Sequence, residues 1–103
     1  MDVISDRFGR RIRLTDERWS YIVHKHPILL ELRTEFENTI KEPELITSSV
    51  YDPEVLLYYR YFKELLEGKY IVAVAKISRD DTFVVTGYVT DRIKKGNVIW
   101  KKS

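Results

Sequence analysis

Histidine is the side chain that changes protonation near neutrality, and this chain holds two, His24 and His26. His26 precedes Pro27 and follows Trp19, Ile22 and Val23 at i, i+3, i+4 and i+7, which is one face of a helix. His24 projects to the opposite side and is expected in solvent. Far along the chain, Val84, Thr86, Tyr88 and Thr90 alternate with Phe83, Val85, Gly87 and Val89. On a strand, alternate residues share a face, so the second set is expected in the core and the hydroxyls and phenol on the other side. Asp91, Arg92, Lys94 and Lys95 follow at once, and Arg60 is the one charge inside the apolar-aromatic run Val55–Phe62. Together these are the parts of a metal-free phosphodiester cleavage. A base takes a 2′-hydroxyl proton, an acid serves the leaving 5′-oxygen, and cations face the charged phosphorane. His26 would be the acid–base group, Arg60 and Lys94 the cations, and Thr86 and Tyr88 donors to phosphate, with Tyr88 an acid rather than a base. Each part also has a plainer role. His26 could be a hydrogen-bonded core residue near a helix end, Arg60 a cation stacked on tyrosine, and the polar row ordinary solvent-facing surface.

Other chemistries are narrowed by composition. A chain of 103 residues with 44% hydrophobic content makes a single domain, 1–103, with one modest core. With no cysteine there is neither a disulfide nor a thiolate metal site or nucleophile. His24 and His26 cannot share a helix face, and no carboxylate cluster stands near them, so neither a metal site nor a cofactor is expected. The start, Met1 to Arg7, has no apolar signal core, and no run approaches a membrane span, so a cytoplasmic protein without membrane partners is expected. The formal net charge is +2, but residues 68–103 carry eight Lys/Arg against three Asp/Glu. A basic end suits a polyanion such as RNA.

The elements that must position these groups can be read in order. Val3-Ile4 and Arg11 to Leu14 suggest a hairpin or extended arm over residues 1–14, with Arg7, Arg10, Arg11 and Arg13 available to phosphate or simply keeping an edge soluble. Thr15 with Asp16 and Glu17 starts a helix that ends at His26. Pro27 opens a second helix with the stripe Leu29, Leu32, Phe36 and Ile40, stopped at Glu42-Pro43. Period 2 then takes over, giving strands over 45–50, 55–62, 69–77 and 82–90, with a short fifth over 97–101. Residues 63–68 read as a helical turn or hairpin tip. The expectation is an α+β domain, two N-terminal helices packed on one face of a four- to five-stranded antiparallel sheet. On its open face Arg60, with Tyr58 or a neighbouring tyrosine, would lie beside Thr86, Tyr88 and Thr90. Tyrosines among cations suit unpaired RNA bases.

Trp19…Ile22…His26-Pro27, Glu42-Pro43-Glu44, Tyr58-Tyr59-Arg60, Phe83 to Asp91, Lys94-Lys95-Gly96 and Ile99-Trp100, in that order, resemble a phage- and prokaryote-associated branch of the barnase–EndoU–colicin–RelE-like (BECR) ribonuclease fold. The resemblance covers about residues 12–101. It implies a metal-independent endoribonuclease, often a toxin of a toxin–antitoxin pair or a phage-associated effector, with RNA, a cognate antitoxin protein and the ribosome as partners. It carries His26, Arg60, Thr86 and Tyr88 into the catalytic site. From the open-face pattern and the basic end, Tyr58, Lys69, Thr90, Arg92, Lys94 and Lys95 are expected to contact RNA. Two departures stand out: Gly87 where that branch often has alanine, and Tyr21 where it frequently has a second histidine. The competing readings are an inactive RNA- or protein-binding module of the same fold and a structural partner protein.

Overall fold

The computed structural model describes residues 1–65 and 67–103. Seven strands form one sheet in the order β1-β2-β6-β5-β4-β3-β7. They are β1 (Asp2–Ser5), β2 (Arg11–Leu14), β3 (Leu45–Ser48), β4 (Val55–Phe62), β5 (Lys69–Ile77), β6 (Thr82–Thr90) and β7 (Asn97–Lys101). Between β2 and β3 come helix α1 (Asp16–Lys25), a 3₁₀ turn (Pro27–Glu31) and helix α2 (Arg33–Lys41). The α+β class is as the residue pattern indicates. The sheet is larger than four or five strands, and it is mixed, because β2 runs parallel to β6.

Of the two forms expected for residues 1–14 the structure has the hairpin, and it joins the main sheet through β2. β1 and β2 pair antiparallel from Asp2↔Leu14 to Ser5↔Arg11. Asp6, buried at their turn, accepts from Phe8 N, Arg10 N, Arg10 Nη1 and the Tyr58 hydroxyl, the last at 2.6 Å. These partners replace the water lost by a buried carboxylate. Arg13 pairs with Asp81 at 2.7 Å, and the Arg7 guanidinium lies over the Trp100 ring. Three of the four N-terminal arginines are thus engaged within the chain.

The helices cover one sheet face. Ile4, Ile12, Leu14, Ile22, Leu29, Phe36, Ile40, Ile46, Tyr58, Ile71 and Ala73 are buried together there. Thr15 caps α1, its hydroxyl accepting from Arg18 N. The second helix differs from expectation. Its first turn is 3₁₀, and α2 starts only at Arg33, because Leu32 leaves helical geometry at φ −117°, ψ 29°. Gly87 lies directly under Phe36: a Cβ there would stand 2.2 Å from the ring.

β6 departs from simple alternation. Val74 pairs with Thr86, but Ala75 pairs with Val84, so Val85 is an extra residue in the strand. This bulge reverses the facing of everything before it. Val84 is buried in the helix-side core, and Val85 packs on the opposite face, contrary to the even alternation expected. β3 ends at Ser48, two residues short of its expected limit, and the Asp52–Glu54 turn follows. The segment 63–68 contains Leu66, which lies outside the described residues, so the choice between helical turn and hairpin tip stays with the described flanks. Glu67 and Gly68 both take positive φ before β5 begins.

Candidate active site

The uncovered sheet face holds a second apolar cluster: Leu57, Tyr59, Val72 and Val74, with Leu45, Val55, Tyr70, Val85 and Tyr88 against it. Past the bulge, Thr86 opposes Val74, Tyr88 opposes Val72 and Thr90 opposes Tyr70. The hydroxyl row therefore lies on this face, as its spacing indicates. The Lys94 backbone N–H donates to the Tyr59 hydroxyl at 3.1 Å, which ties the 91–96 segment down over the sheet. Gly96 allows the close approach: a Cβ there would meet the Ser48 carbonyl oxygen at 2.7 Å.

A cavity of about 190 Å³ results. Leu57, Val55 and Val74 form its apolar floor, Thr86 and Tyr88 one side, and Lys94 and Lys95 its basic rim. Tyr88 and Lys94 also border a neighbouring hollow with Thr90 and Arg92. Six of the residues singled out in the sequence, Thr86, Tyr88, Thr90, Arg92, Lys94 and Lys95, are thus gathered along one groove.

His26 comes up beside Tyr88, one of the groove residues, from around the sheet edge. β2 pairs with β6 only at Arg13↔Phe83, so the rest of that β6 edge has no strand beside it. α1 follows β2 directly and occupies the place, with Arg18 Nη1 donating to the Val85 carbonyl at 3.1 Å. Ten helical residues advance about 15 Å, and the five steps from Phe83 to Tyr88 about 16 Å. The helix end therefore arrives level with Tyr88. The two ring centroids stand 6.2 Å apart, inclined at 42°. The His26 backbone is held on both sides: its N–H donates to Ile22 O at 2.8 Å, and its carbonyl accepts from Leu29 N at 3.0 Å. Its side chain is half-buried, while His24 is exposed.

Burial, and then the adjacent Tyr59 phenol, push Tyr88 up to about 12. Tyr59 is itself raised by burial. At neutral pH both phenols are protonated donors.

Three of the residues expected here lie elsewhere. Tyr58 is fully buried on the helix side with its hydroxyl on Asp6, so it has no surface to offer RNA. Burial and Asp6 hold its phenol far above the ordinary tyrosine range. Arg60, two residues on, has the same facing. It opposes Ile71, and its Nη1 donates at 2.6 Å to the Glu42 carbonyl at the end of α2. That bond satisfies an orphan helix-end acceptor. Lys69 opposes Phe62 and shares the facing of Ile71, away from the groove. Of the Tyr58-Tyr59 pair it is Tyr59 that lies on the open face, with Tyr70 and Tyr88, and its facing follows once Tyr58 is placed in the core. Sequence reasoning misses Tyr51, on the turn at the mouth of the cavity. An aromatic residue in a polar turn is its only signal.

Among the described residues no three His, Cys, Asp or Glu side chains converge, and no helix is long and apolar enough to cross a membrane. No known protein family, curated protein or solved structure matches this chain.

Proposed function

We propose that this protein is a metal-independent endoribonuclease acting by 2′-hydroxyl attack, of the BECR-like kind that its residue pattern resembles, with toxin or phage-associated effector as its biological setting. The observation that carries the reading is the His26 imidazole 6.2 Å from the ring of Tyr88, a residue that itself lines the groove of hydroxyls and lysines.

The roles follow from chemistry. His26 accepts the 2′-hydroxyl proton as the oxygen attacks phosphorus. The Tyr88 phenol, kept protonated at neutral pH, gives its proton to the departing 5′-oxygen, and the P–O5′ bond breaks. The products are a 2′,3′-cyclic phosphate and a 5′-hydroxyl. The proton held by His26 then restores Tyr88 through solvent. Lys94 and Arg92 face the extra charge of the phosphorane, and Thr86 and Thr90 position non-bridging oxygens. Arg60 has no part in this arrangement. Its guanidinium serves the end of α2 instead.

A second reading, an RNA-binding module without cleavage, is favoured by one observation: the basic rim and hydroxyl row are complete without His26. The two are separated by comparing His26→Ala and His26→Gln with wild type on RNA. An acid–base role predicts a rate lower by about 10²–10⁴ in both variants, with melting close to wild type in the Gln variant and little effect from His24→Ala. A stable His26→Gln protein that cleaves at the wild-type rate would remove His26 from the chemistry.

A further inference from the structure

The turn between β3 and β4 presents Tyr51 with 89% of its surface exposed, next to half-exposed Val50. Nothing in the fold gains from that placement, since a tyrosine stabilises by burying its ring. The turn is nevertheless tightly held. Tyr51 N donates to Ser49 Oγ at 3.1 Å, Glu54 N donates to Asp52 Oδ1 at 2.9 Å, and Asp52 is paired with Lys76 across on β5. An aromatic ring is thus displayed on the turn, at the edge of the cavity that Leu57, Val55, Val74 and Tyr88 also line.

This cavity is too small for an extended ligand. Its volume of about 190 Å³ falls below the roughly 300 Å³ at which pockets for drug-sized molecules begin. It suits one planar ring system. An apolar lining of Val55, Leu57 and Val74, an exposed aromatic, the hydroxyl residues Ser49 and Thr86 and two lysines match an unpaired base with its phosphate. Bases are held by stacking on aromatic faces, and their edges by a few hydrogen bonds.

We propose that this cavity is a subsite for a single unpaired nucleobase of the RNA strand and that Tyr51 is the residue that stacks on it. The assignment rests on the RNA-cleaving reading of the groove. It makes Tyr51 a substrate-positioning residue, remote in sequence from both His26 and Tyr88.

The test uses the full chain and a short unstructured 2′-O-methyl oligoribonucleotide, which binds but cannot be cleaved by 2′-hydroxyl attack. Tyr51→Ala should weaken binding by about 5- to 150-fold, the range for removing one base stack, and Tyr51→Phe or Tyr51→Trp should restore it. Replacing each nucleotide in turn by an abasic one should identify one position at which wild type loses affinity and Tyr51→Ala loses no more. An exposed side chain makes misfolding of these variants a minor concern, and thermal melting checks it. Equal affinity of wild type and Tyr51→Ala for the oligonucleotide, with no abasic position singled out, would overturn the subsite and leave the RNA reading standing. Wild type that binds no RNA even at low salt would overturn both.

Discussion

His26 and Tyr88 come within 6.2 Å of each other, although one ends a helix that packs on one sheet face and the other points from the opposite face. They meet because β2 stops after a single pairing with β6 and α1 runs on along the bared edge. The short β2 strand, rather than any residue in the site, is what lets the imidazole reach around the sheet.

The basic rim gives a prediction about binding. Changing Lys94 and Lys95 to Glu should weaken binding across unrelated RNA sequences. On single strands the slope of log affinity against log salt should shrink by about 0.7 for each phosphate that is no longer neutralised. Fluorescence anisotropy over a salt series measures both. An unchanged slope would mean that these lysines are ordinary solvated surface.

Gly87 gives a prediction about packing. A Cβ there would stand 2.2 Å from the Phe36 ring, so Gly87→Ala must displace Phe36 or β6. Overpacking of this kind costs about 1–3 kcal/mol, readable as a lower denaturant midpoint at unchanged slope. Because Thr86 and Tyr88 flank Gly87, cleavage should fall more than stability does. Combining the change with Phe36→Leu should cost less than the two single effects added together, and strict additivity would show that the Gly87–Phe36 clash is not the cause.

The tyrosines give a pH dependence. Tyr88 is pushed up to about 12, and Tyr58 and Tyr59 are raised too. The folded state therefore holds these protons more tightly than the unfolded chain, whose phenols titrate near 10. That stabilisation is fully present below about pH 10 and is lost as pH rises towards 12. Melting temperature should fall across this window. The ultraviolet absorbance of phenolate should show Tyr58, Tyr59 and Tyr88 titrating late, together with unfolding. Tyr88→Phe should make the fall shallower. Ionisation of Tyr88 near pH 10 in a folded protein would contradict its burial.

Much of this architecture could be read from residue order. β4, β5, β6 and β7 have the bounds that their alternating patterns and Gly, Pro and Asp punctuation indicate, and α1 ends where Pro27 forces it to. What could not be read came from long-range partners. A four-residue strand such as β2 carries too little pattern to announce a parallel neighbour about 70 residues away. Neither Val84 nor Val85 marks the bulge that exchanges their facings, since both are valine. For Tyr58, Tyr59 and Arg60, alternation fixes only that the first and third share a side. Which side depended on Asp6, whose carboxylate draws Tyr58 inward and sends Arg60 to the helix side with it. The groove itself was legible as Thr86, Tyr88, Thr90 and the lysines beyond, because the bulge falls before them and leaves their alternation intact.

The central claim is that side chains of this chain alone cut RNA through its 2′-hydroxyl. The direct measurement is end-group analysis of RNA incubated with the purified protein in excess EDTA. Cleavage should proceed under chelation, leaving 2′,3′-cyclic phosphate and 5′-hydroxyl ends. Products bearing 5′-phosphate ends, or intact RNA whether free or ribosome-bound, would contradict it.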